Sequence, residues 1–154
     1  MKVVVFSDSH GDVMNMVEIV RKECPDRILH LGDMTRDADK LLSFFPDTAM
    51  ECVSGNCDGW HYTGYGQELL LELLGHRLLL LHGHTVHVKN GIDEAVARAG
   101  TLGAEVLLFG HTHIPCCDLQ PPLWILNPGS VRDGAYGVLT LSPEKIYCAC
   151  QVIA

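Results

Sequence analysis

The 154 residues, 47% of them hydrophobic and 19% charged, are enough for one compact domain and exclude a disordered or low-complexity chain. A formal charge of −8 excludes bulk nucleic-acid binding through a broad basic surface. The longest leucine run, Leu78 to Leu81, is far short of a membrane span. Val3–Phe6 is a continuous apolar run rich in β-branched residues, as for a strand buried on both faces. Asp12 is placed to cap a helix running to about Glu23, with Val13, Met16, Val17 and Val20 along one face and Pro25 beyond its end. Ile28–Leu31 reads as a second strand, Arg36 to Phe45 as a second helix stopped by Pro46, and Thr48–Val53 as a third strand. After a Gly-rich loop through Gly59, Gly64 and Gly66, the segments Glu68–Leu74 and Arg77–Leu81 flank Gly75-His76 as a two-residue hairpin. Gly91 to Ala99 predicts a helix with Gly100 as its terminator. Glu105–Phe109 is a strand, and shorter strands near Leu123–Leu126, Ala135–Leu141 and Ile146–Ile153 are joined by turns. Strand and helix alternate early and strand dominates late, which predicts sheets packed face to face with helices outside.

Seven cysteines, an odd number, follow an opening apolar run of only four residues, too short for a signal-peptide core. A reduced, cytoplasmic protein is therefore expected. Neither the adjacent Cys116-Cys117 nor the alternating Cys148 and Cys150 has zinc-knuckle spacing, so small buried apolar side chains are the expected reading.

Chemistry gathers at the carboxyl ends of five apolar runs. Val3–Phe6 leads to Asp8 and His10, Ile28–Leu31 to Asp33, and Thr48–Val53 to Asn56. Leu78–Leu81 leads to His82, and Glu105–Phe109 to His111 and His113. Ligands of open α/β sheets collect just outside strand carboxyl ends, so these seven side chains are predicted to converge. Gly32, Gly55 and Gly110 directly precede three of them, where a tight turn or a close backbone approach is wanted. Any one pair is weak, since Asp-X-His arises by chance; five in register with five strand ends are strong together.

Asp8-Ser9-His10, Gly32-Asp33, Gly55-Asn56-Cys57-Asp58, His82-Gly83-His84 and Gly110-His111-Thr112-His113 resemble the ordered motifs of the calcineurin-like metallophosphoesterases. With Asn127-Pro128-Gly129-Ser130 and the short length, the chain is similar to the small bacterial YfcE-like phosphodiesterase branch. The resemblance implies one domain over residues 1–154: a four-layer α/β/β/α sandwich of two mixed sheets with flanking helices. It also implies a dinuclear metal site at the strand carboxyl ends. One divalent ion would be held by Asp8, His10, Asp33 and His113, the other by Asp33, Asn56, His82 and His111, with His84 nearby without binding. Manganese heads the expected ions, with nickel, iron, cobalt and zinc also suited to imidazole and carboxylate. The implied reaction is attack of a metal-bridging hydroxide on a small-molecule phosphate ester, most readily a diester. The cations would also give an acidic protein its local positive charge.

Cys57 stands where much of the wider superfamily has a histidine that assists the leaving group. Cations nearby would favour its thiolate, a poor acid, and so aryl over alkyl leaving groups; the alternative is a packing residue beside the metals. Asp58 is expected either to accept from a ligand histidine or to cap or pair at the surface. Arg132 fits a phosphate contact or, more simply, solvent exposure. Trp60, Tyr62 and Tyr65 suit either a substrate pocket or the subunit contact of a homo-oligomer. His30, His61, His76 and His87 are read as structural or surface residues. Two other functions remain open on the same fold: a phosphomonoesterase, and a non-catalytic scaffold like the retromer subunit that has lost part of the metal chemistry. Retention here of all seven ligand positions, His10 included, favours an enzyme.

Overall fold

The computed structural model describes residues 1–59 and 64–153, so Trp60, His61 and Tyr62 lie outside the described residues. The elements follow in the order β1 Lys2–Phe6, α1 Val13–Glu23, β2 Arg27–His30, α2 Thr35–Phe44, β3 Ala49–Cys52, β4 Glu68–Leu73, β5 His76–Leu81 and α3 Asp93–Thr101. Then come β6 Val106–Leu108, β7 Cys116–Gln120, β8 Leu123–Asn127, β9 Ala135–Ser142 and β10 Lys145–Val152. They form two five-stranded sheets, ordered β10-β9-β1-β2-β3 and β4-β5-β6-β8-β7. Both are mixed: β1, β2 and β3 run parallel, as do β5, β6 and β8, while the remaining neighbours are antiparallel.

Three apolar layers explain the uninterrupted hydrophobic runs. Val3, Val5, Leu29, Leu31, Leu78 and Leu80 meet between the sheets. The alternate residues Val4, Phe6 and Ile28 pack outward under α1 and α2, and Leu79, Leu81 and Leu107 pack outward under α3. Each inner strand is thus buried on both faces, and the four-layer α/β/β/α sandwich results. No helix of the described residues is long and apolar enough to cross a membrane.

Three boundaries differ from the sequence reading for identifiable reasons. The hairpin turn is Leu74-Gly75, with φ of 53° and 85°, rather than Gly75-His76, because His76 pairs with Leu73. The His76 ring is buried, and its Nε2 lies 2.7 Å from the Ser142 carbonyl. The third helix runs through Gly100 to Thr101 and stops at Gly103, φ 65°. There the amides of Ala104 and Gly103 return to the carbonyls of Ala99 (2.9 Å) and Gly100 (3.1 Å), the double closure of a Schellman cap. Strand β7 has no apolar alternation to betray it, since all five of its residues are exposed. Asp12 caps α1 as expected, accepting from the Asn15 amide at 3.1 Å.

Candidate metal centre

The carboxyl ends of β1, β2, β3, β5 and β6 lie along one edge of the sandwich, and the loops leaving them meet there. Ligand atoms of Asp8, His10 and His113 fall within 4.8 Å of one another, as do those of Asp33, His82 and His111. A third such group links His10 and Asp33 with Cys57. His113 Nε2 is 3.0 Å from Asp8 Oδ1, and His82 Nε2 is 3.3 Å from Asp33 Oδ2. His10 Nε2 stands 3.8 Å from each of these two carboxylates. Asn56 sits on the exposed turn after β3, its amide 3.5 Å from Cys57 Sγ. It also lines a cleft of about 250 Å³ with Gly55, Gly59, Gln67 and His84.

The backbone is bent to make this meeting. Asp8, His10, Asp33, His111 and His113 all have positive φ, between 43° and 66°. They are five of nine such non-glycine residues among those described, so left-handed backbone, which costs about 1–3 kcal/mol per residue, is concentrated on the candidate ligands. The glycines before them allow close approach. A Cβ on Gly55 would fall on Asp33 Oδ1 and 2.9 Å from His82 Cγ. One on Gly110 would fall on Ser7 Oγ and 2.8 Å from Asp8 Oδ2.

Buried polar residues outside the candidate ligand set hold these loops. Asp8 accepts from Ser7 Oγ and from the His111 amide (3.1 Å), while Ser130 Oγ donates to the Asp8 carbonyl at 2.8 Å. Asn127 Nδ2 reaches the Gly110 carbonyl (3.2 Å) and Thr112 Oγ1 (2.9 Å), so the Asn-Pro-Gly-Ser turn braces two ligand loops. Asp37 accepts from Ser9 Oγ (2.9 Å) and the Gly11 amide (2.7 Å), on either side of His10. His30 is fully buried; its Nδ1 accepts from the Gly32 amide at 3.2 Å, which leaves Nε2–H to face Ser9 Oγ, also at 3.2 Å. Burial lowers the His30 pKa to about 4, against the opposing charges of Asp58, Asp8 and Asp37, and keeps the ring neutral.

The donor set fits a cation. A carbonyl only accepts, so His82 Nδ1–H donates to the Leu31 carbonyl (2.8 Å), which turns Nε2 toward the carboxylates. Nε2 of both His82 and His10 is buried with no hydrogen-bond partner, an arrangement that normally has an explanation such as an ion. Burial opposes a positive His82 ring, but the Asp33 contact, the Asp8 charge and the Leu31 carbonyl prevail and raise its pKa. A divalent ion between Nε2 and the carboxylates meets the same demand with neutral imidazole. Burial likewise works against the Asp33 charge, yet its contacts with His82 and Cys57 hold the carboxyl well below the usual range. The His111 pKa falls to about 4 through burial, then the His82 and Lys89 charges, so its imidazole is neutral and able to ligate.

Cys57 and Asp58 follow Asn56 on the turn after β3. The protein's own groups disfavour a thiolate: partial burial, then Asp33, then the charges of Asp58 and Asp8, push the Cys57 thiol up to about 11. Asp58 meets backbone rather than a ligand imidazole. Its carboxylate accepts from the amides of Asp33 (3.0 Å), Met34 (2.8 Å), Thr35 (2.7 Å) and Gly55 (2.6 Å), and so clamps the β2 and β3 loops together. Arg132 is exposed. His84 lies beside the cluster, its ring centroid 5.5 Å from that of His82. Tyr65 donates to Asp39 at 2.5 Å.

Comparison with known proteins agrees with this geometry. Residues 1–143 match the model of the calcineurin-like phosphoesterase superfamily domain. The probable metallophosphoesterase YsnB of Bacillus subtilis (strain 168) is 33% identical, with 94% of this chain and 86% of that protein covered. Phosphodiesterase YfcE of Escherichia coli (strain K12) is 27% identical over 90% of this chain and 87% of its own. Among solved structures, a predicted phosphoesterase from Streptococcus pneumoniae TIGR4 superposes with a TM-score of 0.81 at 26% identity, covering 98% of this chain and 88% of that one.

Proposed function

The chain belongs to the calcineurin-like phosphoesterase superfamily, and from that premise we propose that it is a dinuclear metal-dependent phosphodiesterase acting on small-molecule phosphate esters. The observation that carries this reading is the pair of ligand triads, Asp8/His10/His113 and Asp33/His82/His111, with His10 and Asp33 brought into one further group. In it, Asp33 is the shared ligand, Asn56 completes the set around His82, and manganese is the first ion to try. Two divalent cations supply Lewis acidity toward water and toward the phosphoryl oxygens.

The chain's own groups do the rest. Asp8 and Asp33 offset only part of the charge of two cations, so the edge of an acidic protein favours an anionic ester. Neutral His82 and His111 leave their lone pairs free for ligation. Cys57, whose amide donates to Asp33, lies on an exposed turn where a departing alkoxide or phenolate needs a proton.

The test adds Mn2+, Ni2+ or Zn2+ to metal-stripped protein and assays an aryl phosphodiester beside the matching monoester. Metal-dependent hydrolysis that favours the diester, lowered by Asn56→Ala and by His82→Ala, is the expected result. Activity in both variants equal to wild type would overturn the ligand assignment. Faster monoester hydrolysis would favour a phosphomonoesterase, and metal binding without turnover of either ester would favour a scaffold.

A further inference from the structure

Beside the metal loops lies a groove lined by none of the candidate ligands. Its volume is about 360 Å³, within the range of small-molecule sites. Val88, Ile92, Phe109 and Ile114 make its walls apolar, and exposed Lys89 stands on its rim. Val88 and Phe109 are nearly buried, whereas Ile114 is 68% exposed, more than any other large hydrophobic side chain among the described residues. An isoleucine left in water one residue from His113, at the mouth of an apolar groove, marks a contact surface rather than a core position.

The groove adjoins the loop that carries a ligand of each triad, His111 and His113. Thr112, which lines it, lies between His111 and His113 and is fixed by Asn127 Nδ2 at 2.9 Å. Val88 packs against the backbone just after His82; a Cβ on Gly83 would come 2.6 Å from Val88 Cγ2. A molecule with its phosphate at the metal centre therefore has apolar space within reach of one substituent. A monoester has only its leaving group to place, and the cleft beside Asn56 and Cys57 serves that. A diester has a second group to accommodate. Hydroxyls of a sugar-like alcohol would lose hydrogen bonds against these walls, while a planar ring would bury apolar area without that cost.

We propose that this groove is the subsite for the retained ester group of the substrate, and that this group is an aromatic ring carrying an acceptor or anionic substituent that meets Lys89. The assignment rests on the phosphodiesterase reading and narrows its substrate class.

Two diesters with the same leaving group test it on the manganese-loaded full chain: bis(p-nitrophenyl) phosphate and methyl p-nitrophenyl phosphate. Wild type is expected to prefer the first through a lower KM. Ile114→Asp, at a position too exposed to threaten folding, should cut that preference about tenfold, the scale of one lost apolar contact. Lys89→Glu should cut it less. An undiminished preference in Ile114→Asp would overturn the groove assignment and leave the hydrolase reading standing. If neither diester is cleaved, the phosphodiesterase reading fails, and the groove is then judged by binding alone. Phenyl phenylphosphonate titrated into the wild type should shift the methyl NMR signals of Val88, Ile92 and Ile114, and should leave those of Val88 and Ile92 in place in Ile114→Asp; unshifted methyls in the wild type would overturn the subsite.

Discussion

The two ligand triads are built by different means. In the inner one, Asp33 and His82 are almost wholly buried, with side chains 3% and 0% exposed, and the core carbonyl of Leu31 sets the His82 ring. In the outer one, the His113 side chain is 44% exposed and that of His10 is 22% exposed. The two rings face each other at 5.3 Å between centroids, and Asp8, His10 and His113 all stand in left-handed backbone. Left-handed turns serve the inner triad too, at Asp33 and His111, so the difference lies in packing: the Asp33–His82 pair is preorganised in the interior, while His10 and His113 stand open to solvent. A metal ion should therefore bind the inner triad more tightly and fill it first.

The change expected to break this contrast most sharply is Asp33→Asn, because the proposed site shares Asp33 between both halves. Diester hydrolysis should fall by more than about a hundredfold, beyond the usual cost of losing an outer partner of a ligand, and initial-rate kinetics at saturating manganese would read it. Acid should separate the halves next. Neutral His30 supports the Ser9-His10 turn, and burial holds its folded pKa at about 4, below the ordinary 6.5 of a histidine. Its contribution is therefore full above pH 6.5 and lost as the pH falls toward 4, up to about 3 kcal/mol. Urea unfolding at pH 7 and pH 5 should show this loss in wild type and much less of it in His30→Gln.

These supports were invisible in the sequence. Asp8, His10, Asp33, His82, His111 and His113 were legible because each follows an apolar strand at short, fixed spacing. The four-layer sandwich was legible because Val3–Phe6 and Leu78–Leu81 are apolar on both faces. Asp37 and His30 carry no such signal, since both meet Ser9 from a loop remote in sequence; Asp58 was marked by its motif, but not the backbone amides it clamps. The surroundings of the Cys57 thiol were not legible either: burial and the carboxylates of Asp33 and Asp8, which folding brings to it, push it up together with neighbouring Asp58. Exposed β7 offered no periodicity, and the Leu74-Gly75 turn was displaced by a His76 contact with a carbonyl 66 residues away.

The clamps sharpen the comparison at smaller scale. Asp58→Asn loosens four amides around Asp33 and should weaken manganese binding by about 10–100-fold. Asp37→Asn, which removes two contacts around His10, should fall at the lower end of that range and affect the outer, later-filled ion. Calorimetric titration would distinguish the two variants by which binding step each one shifts. The smallest effect is expected from Cys57→His, which should change the ratio of aryl to alkyl ester hydrolysis by a few-fold while leaving metal binding intact. An unchanged ratio would reduce Cys57 to a packing residue.

The most direct test is an anomalous-scattering map of crystals grown with manganese. Two peaks about 3.5–4 Å apart, with the Asp33 carboxylate between them and His82 on one side and His113 on the other, is the arrangement foreseen. A single peak, or two peaks in separate parts of the molecule with Asp33 touching neither, would contradict it.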